Sequence, residues 1–171
     1  MSEMNRIELI LSELLVLAKP QVAQFQPVLI HDLLHQVVAL LNTQAIMNNI
    51  QIVTQWDSNP IRIVCDENQI KQLLINLLKN AIEVMPSGGD ITLNLIKKDE
   101  QVLISVIDQG CGIPEDLLAQ IGTPFYSTKE NGTGLGLMIC RKIVDTHKGD
   151  LLFESQVDVG TTITVALPLV H

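Results

Sequence analysis

The chain has 171 residues, of which 47% are apolar, enough for one ordinary domain with a sizeable core and a short appendage. Nineteen acidic residues against eleven basic ones give a net charge of −8, which argues against general nucleic-acid binding, because Lys and Arg must replace counterions along a phosphate backbone. No run approaches the roughly 18 apolar residues of a membrane span, and Met1-Ser2-Glu3-Met4 lacks the basic start of a signal peptide, so a soluble cytoplasmic portion is expected, whether or not the full-length protein is membrane-anchored.

From Met4 to Ala18, apolar residues at Met4, Ile7, Leu11, Leu14, Leu15 and Ala18 keep helical spacing, and Leu9, Ile10, Val16 and Leu17 widen the face. A helix this apolar needs a packing partner. Lys19-Pro20 stops it, and residues 20–26 read as a linker bounded by prolines. A second helix is predicted from about Ile30 to Met47, and Ile50 to Trp56 alternates as a strand should. Asp57-Ser58-Asn59-Pro60 is a turn cluster, followed by a short strand from Ile61 to Val64. Asp66 then offers an N-cap, with Gln69 as its capping-box partner, for a helix from Glu67 to about Met85. After Pro86-Ser87-Gly88-Gly89, the segments Ile91–Ile96 and Val102–Ile107 form a hairpin with a charged tip. Gln109 to Gly136 reads as a long mobile loop with one short helix after Pro114. Helical spacing resumes from Leu135 to His147, and strands Leu151–Ser155 and Thr162–Leu167 close the chain around Asp158-Val159-Gly160.

Three patterns carry chemistry. At about 100° per residue, Gln69, Gln72, Asn76, Asn80 and Glu83 form one polar stripe beside an apolar wall, with the two asparagines one turn apart. Asp108-Gln109-Gly110-Cys111-Gly112-Ile113 follows a strand; a carboxylate there can accept from an exocyclic amine, and the glycines permit a sharp departure. Gly132-Thr133-Gly134-Leu135-Gly136-Leu137 opens a helix, where backbone N–H groups favour anions. Each alone also fits a bland structural role: a solvated stripe, a turn, a hinge. The third is not G-x-G-x-x-G, and no G-K-[ST] P-loop exists. Cys65, Cys111 and Cys140 lack C-x-x-C spacing, so reduced thiols are expected rather than disulfides or structural zinc.

In this order, with Pro124-Phe125-Tyr126-Ser127-Thr128-Lys129 between the glycine patterns and Gly160-Thr161-Thr162 before the last strand, the chain resembles the ATP-binding domain of bacterial sensor histidine kinases, in the superfamily of gyrase, Hsp90 and MutL. The resemblance covers roughly residues 27–168. It implies an α/β two-layer sandwich of the Bergerat type, preceded by a helix from a dimerisation and phosphotransfer hairpin. Residues 1–19 would be that hairpin's second helix, 20–26 the linker and 27–171 the catalytic domain. It implies ATP and Mg²⁺ as cofactors. Asn80 would be the metal ligand, with Asn76 helping to place metal or phosphates. Asp108 would read adenine, with Thr161 helping through a shared water. Gly110 and Gly112 would start a lid; Gly132, Gly134, Leu135 and Gly136 would end it and offer amides to phosphate, with Lys129 a further phosphate contact.

The hydrolases of the superfamily carry Glu four residues before the metal-binding Asn, to activate water. Here that position is Asn76, and an amide is no general base. This favours a kinase over a gyrase- or Hsp90-like ATPase; a non-catalytic interaction module of the same fold is the other alternative. Two features depart from the usual pattern. Glu83 stands where sensor kinases often have a cation, within Asn80-Ala81-Ile82-Glu83-Val84-Met85-Pro86, which resembles a variant found in sporulation-type kinases. Of the four histidines, His31 in His31-Asp32-Leu33-Leu34 lacks the basic residue and proline of an acceptor motif, so the phosphoacceptor is expected before residue 1. The resemblance implies as partners a response regulator, a second chain through the hairpin, and a protein inhibitor of the kinase, but no nucleic acid.

Overall fold

The computed structural model describes residues 3–19, 22–56, 59–123 and 132–169. Helix α1 (Glu3–Ala18) comes first, then strand β1 (Gln26–Leu29), helix α2 (Ile30–Met47) and strands β2 (Ile50–Trp56) and β3 (Arg62–Cys65). Helix α3 (Glu67–Glu83) leads to the hairpin β4 (Gly89–Lys98) and β5 (Gln101–Ile107). A single turn, α4 (Glu115–Leu118), precedes helix α5 (Gly136–Thr146) and strands β6 (Asp150–Gln156) and β7 (Gly160–Pro168).

The main sheet has the order β2-β4-β5-β7-β6, with β2 parallel to β4 and the remaining pairs antiparallel. Alternation in the strands decides which side is covered. Leu95, Ile104 and Val165 sit in register across the three central strands, and all are buried. Over that face lie α2, α3 and α5, each contributing a stripe of buried residues at helical spacing: Leu34, Val37 and Leu41; Leu73, Leu74 and Leu77; Ile139, Cys140 and Ile143. On the opposite face, Thr92, Asn94, Ser105 and Thr164 are half-buried, and the Ser105 and Thr164 hydroxyls bond at 2.8 Å. This is a two-layer α/β sandwich, as expected.

Two local expectations need correction. The segment read as linker ends in a strand: Gln26 to Leu29 pairs antiparallel with β3, Gln26 opposite Cys65 and Leu29 opposite Arg62. Four residues that include Pro27 show no alternation worth reading, and their partner lies more than 30 positions away. The capping box is also only half made. Asp66 Oδ1 accepts from the Gln69 N–H at 3.0 Å, but the Gln69 side chain does not reach back. Instead the Asp66 N–H donates to His147 Nε2 at 3.0 Å, while His147 Nδ1 lies 2.7 Å from the Ile143 carbonyl. Nε2 accepts, so Nδ1 carries the proton and the ring is neutral. His147 therefore ties the end of α5 to the start of α3. Asp66 Oδ2 accepts from the Gln24 N–H at 2.8 Å, and the Phe25 ring lies 5.0 Å from His147, which draws the segment before β1 into the same knot.

Helix α1 rests on this body through its last turn. Val16 and Leu17 pack against the core, and Lys142 Nζ donates to the Leu17 carbonyl at 2.7 Å and the Val16 carbonyl at 3.3 Å. A cation at a helix C-terminus opposes the helix dipole favourably. Further up, Met4, Ile7, Leu11 and Leu15 are each more than half exposed, a face of the kind that packs in helical bundles. Among the described residues no helix is long and apolar enough to cross a membrane.

Candidate functional site

Asp108 is the residue immediately after β5 and is buried. Its Oδ1 accepts from two backbone donors, the Gly110 N–H at 2.8 Å and the Thr161 N–H at 3.2 Å. Its own N–H donates to the Thr161 carbonyl at 2.9 Å. Thr161, also buried, sits at the start of β7 beside β5. A central strand thus delivers a carboxylate to the sheet's end, and backbone donors fix its rotamer.

The chain then turns away through Gly110 and Gly112. A Cβ on Gly110 would stand 2.6 Å from Val84 Cγ2 and 2.8 Å from the Val84 carbonyl oxygen. Gly112 has φ +71°, and a Cβ there would strike the Gln156 carbonyl. The Asp158 N–H donates to the Cys111 carbonyl at 2.9 Å, and the Ile113 N–H to Ser155 Oγ at 2.8 Å. So the loop is clamped between the end of α3 and the turn joining β6 to β7. The one short helix expected after Pro114 is formed as α4, and Ile121 beyond it is buried at 9% exposure.

The polar stripe of α3 divides in two. Gln69 and Gln72 face Val16 and Lys142 in the small cleft beside α1, away from Asp108. Asn76 and Asn80 are half-buried one turn apart. Asn76 Nδ2 donates to the Gly136 carbonyl at 3.4 Å, which joins α3 to the start of α5. Nothing lies within 4 Å of the place where a Gly136 Cβ would be, and Gly134 has φ +71°. Leu135 is buried and its N–H donates to Thr133 Oγ1 at 3.3 Å. Helix α3 therefore meets both ends of the loop, through Val84 at Gly110 and Asn76 at Gly136. Lys129 and the whole segment Pro124 to Lys129 lie outside the described residues, while Gly132 lies just inside.

Sequence reasoning missed Ser155. It lies on the inward side of β6, after Leu151 and Phe153, and a lone hydroxyl on an otherwise apolar side is the signal that could have found it. The Ile61 N–H donates to His31 Nδ1 at 3.4 Å, and the His31 and His35 rings both make T-shaped contacts with Trp56.

All three cysteines are free thiols. Burial pushes the Cys140 thiol up to about 12, against a smaller opposing pull from the Asn76 side chain. Burial, with the Asp66 and Glu67 carboxylates, pushes Cys65 up to about 12. Thiolate is the reactive form, so a thiol reagent at neutral pH should label exposed Cys111 and spare the other two until the protein is unfolded. Because the unfolded thiols ionise near 9.0 and the folded ones do not, stability carried by these groups is present below that pH and is lost from there toward about 12. A Cys65→Ser, Cys140→Ser variant should show a flatter alkaline melting profile.

A buried carboxylate beside a threonine, two asparagines on a helix and a glycine-rich helix start point to one ligand class, a purine nucleotide with its phosphates. Comparison with known proteins agrees. A family model described as histidine kinase-, DNA gyrase B-, and HSP90-like ATPase matches residues 65–171. The chain belongs to this family, and within it to the catalytic domains of histidine kinases. It is 34% identical to the catalytic domain of histidine kinase ThkA, with a TM-score of 0.77 over 85% of this chain and 95% of that one. In complex with response regulator protein TrrA, ThkA matches 98% of this chain and 48% of that chain at 33% identity and a TM-score of 0.85. Full-length ShkA, solved in complex with AMPPNP, matches 96% of this chain and 35% of that chain at 28% identity and a TM-score of 0.84. Sporulation kinase C of Bacillus subtilis (strain 168) is 49% identical over 98% of this chain, which spans 40% of that protein.

Proposed function

We propose that this chain binds ATP with Mg²⁺ and passes the γ-phosphoryl group to a histidine on a hairpin helix outside it, for relay to an aspartate of a response regulator. The buried Asp108 carboxylate, aimed by the Gly110 and Thr161 amides, carries the reading. That geometry suits acceptance of a hydrogen bond from the adenine amine. Thr161 stands beside it to order a water at the base. Glycines Gly132, Gly134 and Gly136 allow phosphate to approach the amides that begin α5. Leu135, buried under that turn, anchors the helix start.

The donor set fits Mg²⁺. Asn80 and Asn76 offer neutral amide oxygens, which are hard ligands, and among the described residues no cluster of three or more His, Cys, Asp or Glu forms a site that would hold a metal by itself. Bound with the nucleotide, Mg²⁺ supplies charge neutralisation for the phosphates. Asn76 cannot deprotonate water, so the site holds ATP for transfer rather than hydrolysis. In transfer, the bond from the γ-phosphorus to the bridging oxygen breaks and ADP leaves. A bond to the imidazole nitrogen forms, and the imidazole proton passes to an acidic neighbour on the hairpin. This chain's part is to orient the phosphates and exclude water.

The ThkA complex with a response regulator supports the partner class, and the exposed apolar face of α1 supports a second chain as dimer partner. A protein inhibitor of the kinase would compete for the same surfaces. The sporulation-kinase relative favours a regulator of that kind of pathway.

A calorimetric titration tests the reading. Saturable binding of Mg–ATP, with Mg–GTP much weaker, is expected; no binding at millimolar ATP would remove the nucleotide site. The same complex should slow amide exchange in residues 115–123, because a lid must open to exchange nucleotide and close over it. Exchange that ignores ATP would argue against a lid.

A further inference from the structure

Ser155 makes three contacts with one hydroxyl. Its Oγ lies 2.8 Å from the Ile113 nitrogen, 3.1 Å from the Gly160 carbonyl oxygen and 2.8 Å from Thr161 Oγ1. It is half-buried, directly opposite Thr161 in the β6–β7 ladder. A serine hydroxyl has one proton and two lone pairs. The Ile113 N–H takes one lone pair, and a carbonyl can only accept. All three contacts are satisfied together in one arrangement: the Ser155 proton goes to Gly160, and the Thr161 hydroxyl donates to Ser155. Thr161 Oγ1 then has spent its proton and presents lone pairs alone.

That outcome bears on the base. Asp108, joined to Thr161 by two hydrogen bonds, also presents acceptors. The pair becomes an acceptor-only edge. It suits a 6-amino group directly, and a water that donates one proton to Thr161 and the other to adenine N1. A 6-oxo purine would set its carbonyl oxygen, in place of an amine, against the lone pairs of Asp108.

We infer that Ser155 is a positioning residue for base selection: it fixes the Thr161 hydroxyl as an acceptor and pins the root of the lid loop at Ile113. The inference rests on the nucleotide reading above. Ser155 touches neither base nor phosphate in this account; it acts through Thr161.

Affinities for Mg–ATP and Mg–GTP decide it, measured by calorimetry on the full chain and on Ser155→Ala, Ser155→Thr, Thr161→Val and the Ser155→Ala, Thr161→Val double variant. Ser155→Ala frees the Thr161 hydroxyl to turn and donate, so ATP affinity should fall about tenfold and GTP affinity should not fall with it. Ser155→Thr keeps a hydroxyl and a strand-forming side chain, and should retain the wild-type preference. With Val at position 161 there is no hydroxyl to aim, so Ser155→Ala should no longer change the ratio. Equal loss of both nucleotides, or effects that simply add in the double variant, would overturn the inference. Should Ser155→Ala fail to fold, Ser155→Cys against Ser155→Thr puts the same question, because a thiol is a weak donor and acceptor. A wild-type chain that binds neither nucleotide would bring down the nucleotide reading and this inference with it. Wild-type ATP preference kept intact in Ser155→Ala and Ser155→Cys overturns this inference alone.

Discussion

Asp108→Asn should weaken ATP binding by about ten- to a hundredfold, since a hydrogen bond to a charged group contributes about 1.5–3 kcal/mol. The structure gives the substitution a definite outcome. Oδ1 of Asp108 already serves the Gly110 and Thr161 amides. An asparagine in the same rotamer would keep its single oxygen there and turn its NH₂ toward the base. Donor would then face donor at the adenine amine. Turning the amide over would set NH₂ against two backbone N–H groups, which costs more. The fold should therefore survive while the preference collapses, and GTP should lose far less than ATP. Calorimetry beside a thermal melt reads both. ATP affinity equal to wild type would take Asp108 out of the base-reading role.

Asn80→Ala should reduce phosphoryl transfer to a supplied hairpin by about a hundredfold or more, in the range seen when one stabilising group is removed from a transfer site. The position tolerates the change structurally. Asn80 is half-buried on α3, so truncation opens no large cavity, and alanine is the better helix former. What is removed is an amide oxygen one turn beyond Asn76, on the helix whose residues meet Gly136 and whose end meets Gly110. Transfer is followed as acid-labile label on the hairpin, with far-ultraviolet circular dichroism as the control for folding. Wild-type rates in Asn80→Ala would remove its assignment as the metal ligand.

Sequence pattern located the elements where periodicity was long and local. Helix α2 was expected from Ile30 to Met47 and occupies that span, because eighteen residues of amphipathic spacing leave little choice. The β4–β5 hairpin was equally plain, though its strands run further than the apolar alternation, from Gly89 and to Lys98, since ladder pairing does not need apolar residues. Asp108, Thr161 and the two asparagines were assigned to the candidate site from motif order. Elements made by distant contacts were not. Strand β1 exists only because β3 accepts it, and the second half of the Asp66 cap comes from His147, eighty-one positions away. Gln69 and Gln72 were grouped with the asparagines because the helical wheel cannot show that Val16 of α1 and Lys142 of α5 flank one end of the stripe. Ser155 escaped for a related reason: its role lies in three partners on two other segments, and one serine in a strand shows none of them.

One measurement bears most directly on the central claim that this chain holds ATP for a histidine it does not contain. The purified chain is incubated with γ-labelled ATP and Mg²⁺, alone and with a separately supplied phosphotransfer hairpin that carries a histidine. The account predicts acid-labile label on the hairpin histidine, none on this chain in either reaction, and loss of hairpin label in Asp108→Asn. Stoichiometric label on this chain that disappears with His31→Gln would contradict it, as would a hairpin that stays unlabelled while ATP is bound.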